Sequence, residues 1–164
     1  MSAIAQGSSN SSKPDFSKMS NEEKVAWIQG NADKLGLDLS KIKEINLNYM
    51  DVNNVVGMTS DGVPIIADGG TTSPWGGAFH QKSGTMYLFA EAFEPALNLN
   101  IPLTTDSTGY GVLDSVTRNY TAMENLVHTF GHETAHSLGY DTKGIRHIDG
   151  ERMGMDAVDR FRGM

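Results

Sequence analysis

Residues 121–139, TAMENLVHTFGHETAHSLG, constrain the fold more than any other stretch of the chain. Thr121 and Glu124 stand three apart, the spacing of a capping box, in which two side chains satisfy two backbone N–H groups at a helix start. Met123, Leu126, Val127, Phe130 and Leu138 then recur at helical spacing and supply a stripe for burial. Gly139 is a natural terminator. The segment therefore reads as a long helix from Ala122, which Asp114 or Ser115 could start earlier.

The flanking sequence supplies shorter elements. Ser20 and Glu23 form a second capping box, followed by Val25, Ile28 and Leu35 and closed by Gly36, which predicts a helix over 21–35. Alternation predicts strands at 45–49, 55–58 and 63–67, with Ser60-Asp61-Gly62 as a turn. Residues 68–77 read as a loop, and 78–80 and 85–90 as a hairpin around 81–84, with TMYLFA the clearest strand. A short helix at 91–97 is limited by Pro95, and 100–111 reads as a Gly/Thr/Pro loop. After a loop at 140–149, Asp149 caps a final helix over 150–162, with Met155, Val158 and Phe161 on its apolar side. Residues 1–17 are polar and Ser-rich, a leader or linker, so the chain divides into 1–17 and one domain over 18–164. The expected class is α+β: a short, twisted, mostly antiparallel sheet packed on the long helix, with a further C-terminal helix.

Composition limits the chemistry. The 164 residues include no cysteine, which excludes disulfides and thiolate ligands, so a metal would need His, Asp, Glu or backbone oxygen. The formal charge of −7 argues against nucleic acid as a partner, and Arg146, Arg152, Arg160 and Arg162 read as a solvated face. No apolar run approaches the ~20 residues of a membrane span, and residues 1–15 do not resemble a secretory signal.

The long helix carries His132-Glu133-Thr134-Ala135-His136. Residues four apart share a helix face, so His132 and His136 can offer two imidazoles to one Zn2+. Glu133 then stands where a zinc hydrolase places its general base. His128 lies on the same face, but 128 to 136 spans about 12 Å, too far for one ion, which leaves it a supporting or packing role. A third ligand must come from elsewhere. Glu151 is the first choice, because the face it shares with Met155 and Val158 turns inward. Asp149 is second and His147 third; His147 is better suited to donate to a developing oxyanion, with Tyr140 and Arg146 as weaker candidates. Asp141 is too close to swing back, and Asp156 either orients a histidine or is solvated. His80 and Glu91 read as surface residues.

HTFGHETAHSLG, the preceding HQKSGTMYLF and the following DGERMGMDAVDRF together resemble the compact zincin-type metallopeptidase domains at the C-termini of bacterial polymorphic toxins, of the Rhs and contact-dependent inhibition kinds. The resemblance covers residues 78–161. It implies a gluzincin-type site with His132, His136 and Glu151 on zinc, a peptide or protein substrate, and a cognate inhibitor or immunity protein as partner. It also implies release from a larger secreted protein into a target cell. The metzincin pattern does not apply, because Thr142 occupies its third-ligand position. Two other classes remain open: a module that keeps a metal for structure, and a zinc amidase or deacetylase with a differently shaped groove.

Overall fold

A computed structural model of the chain describes residues 13–47, 55–58, 64–66, 76–140 and 147–164. Residues 1–12, Tyr49, the Ser60-Asp61-Gly62 turn, 68–75, Asp141 and Arg146 lie outside the described residues. The architecture is a small α+β domain. Its described helices are α1 (Asn21–Gly30), α2 (Ala122–Ser137) and α3 (Ile148–Arg162).

Both capping boxes form. Ser20 Oγ accepts from the Glu23 amide and Glu23 Oε1 from the Ser20 amide, and Thr121 and Glu124 repeat the pattern at the start of α2. The spacing predicts α1 over 21–35, but regular helix stops at Gly30 and turns carry the chain to Gly36. Gly36 has φ +72°, and a Cβ there would lie 2.9 Å from Arg160 Nε, so left-handed backbone and close packing both call for glycine. Leu35 is buried all the same.

Among the described residues, seven strands follow in order: β1 (Glu44–Leu47), β2 (Val55–Met58), β3 (Pro64–Ile66), β4 (Gly77–His80), β5 (Thr85–Leu88), β6 (Ala96–Thr105) and β7 (Val112–Tyr120). Three form a sheet in the order β1-β5-β4, with β1 parallel and β4 antiparallel to β5. β5 is the centre of this sheet and every one of its residues is buried. β4 pairs only with β5 among the described residues, so the sheet's edge on that side is GAFH rather than TMYL. β2 and β3 form a separate antiparallel pair.

The largest departure from the sequence expectation is at 96–120. The first half of the expected loop at 100–111 is strand, part of the antiparallel hairpin of β6 and β7. Only residues 106–111 turn, with Asp106 Oδ1 accepting from the Thr108 amide and hydroxyl. The pairing is irregular: the register shifts three times and Asn98 sits at φ 55°. The hairpin is also largely solvated, with Leu97 and Leu113 both about 70% exposed (71% and 70%).

α2 packs between β4 and β5 on one side and α3 on the other. A Cβ at Gly131 would fall 2.9 Å from Gly154 Cα, and one at Gly154 would fall 2.6 Å from the His128 carbonyl oxygen. The two helices therefore meet backbone to backbone. The core around them includes Met86, Leu88, Ile101, Leu126, Phe130, Val158 and Phe161. Phe16 and Trp27 pack on Phe161 from outside, and Lys13 Nζ donates to the Phe161 carbonyl at 2.8 Å.

Candidate metal centre

Helix α2 brings His132 and His136 to one face, as their spacing requires. The start of α3 completes the group. His147 is its N-cap residue, with φ 52° and ψ 43°, a left-handed conformation that costs a non-glycine residue about 1–3 kcal/mol. Gly150, in the first turn, lets the helix pass close to His132: a Cβ there would be 3.1 Å from its Nε2. Glu151, four residues after His147, lies beside the same ring.

The described residues contain two overlapping groups that could hold a metal ion, one of His132, His136 and His147, the other of His128, His132 and Glu151. In the first, His132 Nε2 lies 3.0 Å from His136 Nε2 and 3.2 Å from His147 Nδ1. The ring centroids are 4.8 to 5.4 Å apart. Two donors at the usual zinc–nitrogen distance on one tetrahedral ion lie about 3.3–3.4 Å apart, so these gaps are of the right size. In the second group Glu151 Oε1 is 2.5 Å from His132 Nδ1, a hydrogen-bond distance too short for two ligands of one ion. Glu151 thus reaches His132 through the ring nitrogen that does not face His136.

Hydrogen bonding fixes where the ring protons sit. Burial opposes ionisation of Glu151, but the His128 and His132 imidazoles beside it outweigh this and hold the carboxyl at about 2. It is ionised and can only accept, so the proton is on His132 Nδ1 and the neutral ring has an unprotonated Nε2. His136 Nδ1 is 3.0 Å from the Tyr140 carbonyl oxygen, which also only accepts, so its Nε2 is unprotonated too. With both rings neutral, two nitrogen lone pairs face each other across 3.0 Å; a ring proton there would instead bridge them as an N–H···N hydrogen bond. A cation between them turns a repulsive contact into a favourable one. His147 can donate to His132 Nε2, but that leaves the contact with His136 unchanged.

Glu133, the residue between the two α2 histidines that the sequence marks as a base, is buried on the side of α2 that meets β4. A Cβ at Gly77 would lie 3.0 Å from Glu133 Cγ and 3.2 Å from Thr129 Cγ2, so glycine at the strand's start permits the close approach. Further along, Gln81 Nε2 donates to the His136 carbonyl. The edge strand thus runs beside α2, from Thr129 and Glu133 toward His136. Burial pushes the Glu133 carboxyl up to about 7; the His132 charge opposes this and Glu151 adds to it. A cation beside it favours the ionised form.

The remaining candidates supply no nitrogen to the three-histidine group. Asp149 and Asp156 are exposed. Tyr140 contributes its carbonyl rather than its half-exposed side chain. His80 bonds Ser83 in the β4–β5 turn, and Glu91 offers its carbonyl to Asn125. His128 is buried, with Nδ1 3.2 Å from Tyr120 Oη and Nε2 3.6 Å from Glu151 Oε1. Tyr120 has no sequence signal of its own; it joins the group only because β7 ends against α2. Comparison of the chain with family models, with curated proteins and with solved structures finds no match.

Proposed function

We propose that the chain is a zinc-dependent hydrolase of peptide bonds in which His132, His136 and His147 hold the metal and Glu133 moves the proton. The observation that carries this reading is the convergence of three imidazole nitrogens, His132 Nε2 and His136 Nε2 3.0 Å apart with His147 Nδ1 beside them. Three imidazoles without thiolate suit zinc, and a three-histidine set leaves a fourth position for chemistry. Glu151 and His147 both take roles other than those the sequence suggests: His147 supplies the third nitrogen rather than an oxyanion donor, and Glu151 braces His132 from behind rather than binding the ion.

Zinc held there supplies a Lewis acid and a water acidic enough to yield a nucleophile near neutral pH. Glu133 follows the first ligand and is buried beside it, so it can take a proton and return it to a leaving amine. Thr129 and the glycines at the start of β4 pack around it and exclude water from its stem. The β4 edge offers backbone N–H and C=O groups beside this carboxyl, and an extended peptide can pair with them as an added strand. That edge favours a peptide substrate over a compact non-protein one.

Elemental analysis of the purified protein, with casein hydrolysis as the assay, tests the reading. One zinc per chain is expected. Glu133→Gln should keep that zinc and lose about 10²-fold or more of the hydrolysis. A folded protein that takes up no zinc overturns the ligand set. A Glu133→Gln variant as active as the parent removes Glu133 from the chemistry, and zinc without any hydrolysis reduces the site to a structural one.

A further inference from the structure

His128 Nε2 is the one buried side-chain polar atom among the described residues that has no hydrogen-bond partner. Buried donors of this kind call for an explanation. The atom points at Glu151 Oε1, 3.6 Å away and just beyond bonding reach. The other ring nitrogen, Nδ1, meets Tyr120 Oη at 3.2 Å. Gly154 closes the far side, since a Cβ there would be 3.0 Å from the His128 ring, so the imidazole has little room to turn. Tyr120 is itself buried, and burial pushes its phenol up to about 12, so it keeps its proton.

We infer that Tyr120 and His128 are positioning residues for the metal centre: Tyr120 donates its hydroxyl proton to His128 Nδ1, His128 directs its Nε2–H at Glu151, and the carboxylate so held accepts from His132 Nδ1 and leaves His132 Nε2 to the metal. The direction of the chain follows from its ends. A carboxylate only accepts, so each histidine that turns a nitrogen to it, His132 at 2.5 Å and His128 at 3.6 Å, must present an N–H. A neutral His128 that donates through Nε2 must accept through Nδ1, and the Tyr120 hydroxyl is the donor in place. One carboxylate thus fixes two tautomers, and the phenol sets the first of them. Carboxylate and backbone partners of metal-bound histidines act this way in general. Here the support extends two side chains further, from β7 through the middle of α2 to α3. The inference rests on the ligand set proposed above.

Long-range 1H–15N spectra of the metal-free protein, recorded above the histidine titration range, report which ring nitrogens carry protons. His128 is expected to be protonated at Nε2 and His132 at Nδ1. Zinc affinity is then read by chelator competition for the parent, Tyr120→Phe, His128→Leu and His128→Gln. Tyr120→Phe should mix the His128 tautomers and weaken zinc binding several-fold. His128→Leu should weaken it by about 10-fold or more, as loss of a supporting partner does. His128→Gln, which retains a side-chain N–H, should recover part of that loss. A His128 protonated only at Nδ1 overturns the chain, as does zinc affinity unchanged in both Tyr120→Phe and His128→Leu when Glu151→Gln is weakened. If either variant fails to fold, the tautomers of the parent decide. If the parent folds but binds no zinc, the ligand set falls, while the same spectra still settle the chain of hydrogen bonds.

Discussion

At the scale of single residues, His147 departs most from ordinary geometry. A left-handed histidine at a helix N-cap without a capping hydrogen bond is a local cost. Its return is a nitrogen placed 3.2 Å from His132 Nε2. His147→Ala should therefore lose stoichiometric zinc outright. Glu151→Gln should keep one zinc per chain but bind it about 10- to 100-fold more weakly, because it loses a support and not a ligand. Equilibrium dialysis separates the two; the opposite ranking would make Glu151 the ligand. The pair on α2 could be read from the sequence because i, i+4 geometry is intrinsic to a helix. The third nitrogen could be named only as a candidate, behind Glu151 and Asp149. Its position depends on one positive φ at residue 147 and on a glycine at 150 that admits the helix, and neither leaves a spacing rule in the sequence.

Among the elements, the α2–α3 crossing sets the site, since one helix carries two of the nitrogens and the other the third. Gly131 and Gly154 let the backbones touch. Gly154→Ala would press a methyl into the His128 carbonyl and ring, and overpacking of that kind costs about 1–3 kcal/mol. Thermal denaturation of the metal-free variant should show a lowered Tm; an unchanged Tm would mean that the helices separate freely. The helices were legible because Ser20–Glu23 and Thr121–Glu124 announce their starts. The β6–β7 hairpin was hidden for converse reasons. It contains Pro102 and a left-handed Asn98, its register slips, and apolar Leu97 and Leu113 face solvent, so the alternation that marks a half-buried strand is blurred. The turn did leave a trace, in the Asp106-x-Thr108-Gly109 stretch.

Across the whole molecule, the end of α3 gathers the distant parts. Arg162 pairs with Glu124 at the start of α2 at 2.6 Å and donates to the Asn119 carbonyl on β7, and Arg118 of β7 pairs with Asp159. Partial burial works against ionisation of Glu124, but hydrogen bonds from Arg162 and the Thr121 amide outweigh it and lower its pKa. A carboxyl lowered on folding stabilises the fold above its unfolded pKa, and that contribution fades as the pH falls through the folded value. Glu124→Gln keeps the capping geometry but not the charge, so its stability should fall below the parent's at neutral pH and converge with it in acid. Urea midpoints across that range would show this, and a constant offset would assign the effect to packing instead.

The two nitrogens of His132 also determine which positions tolerate another kind of ligand. At His136, the nitrogen away from the cluster faces a backbone carbonyl, so on the proposed ligand set a cysteine there could take over an ion at modest expense. At His132 a thiolate would replace Nε2 but supply nothing to Glu151, which would be left facing a second negative charge in a largely buried position. On the proposed ligand set the histidines are thus alike to an ion and unequal to the protein: His136 is exchangeable in principle, and His132 is tied to the helix behind it.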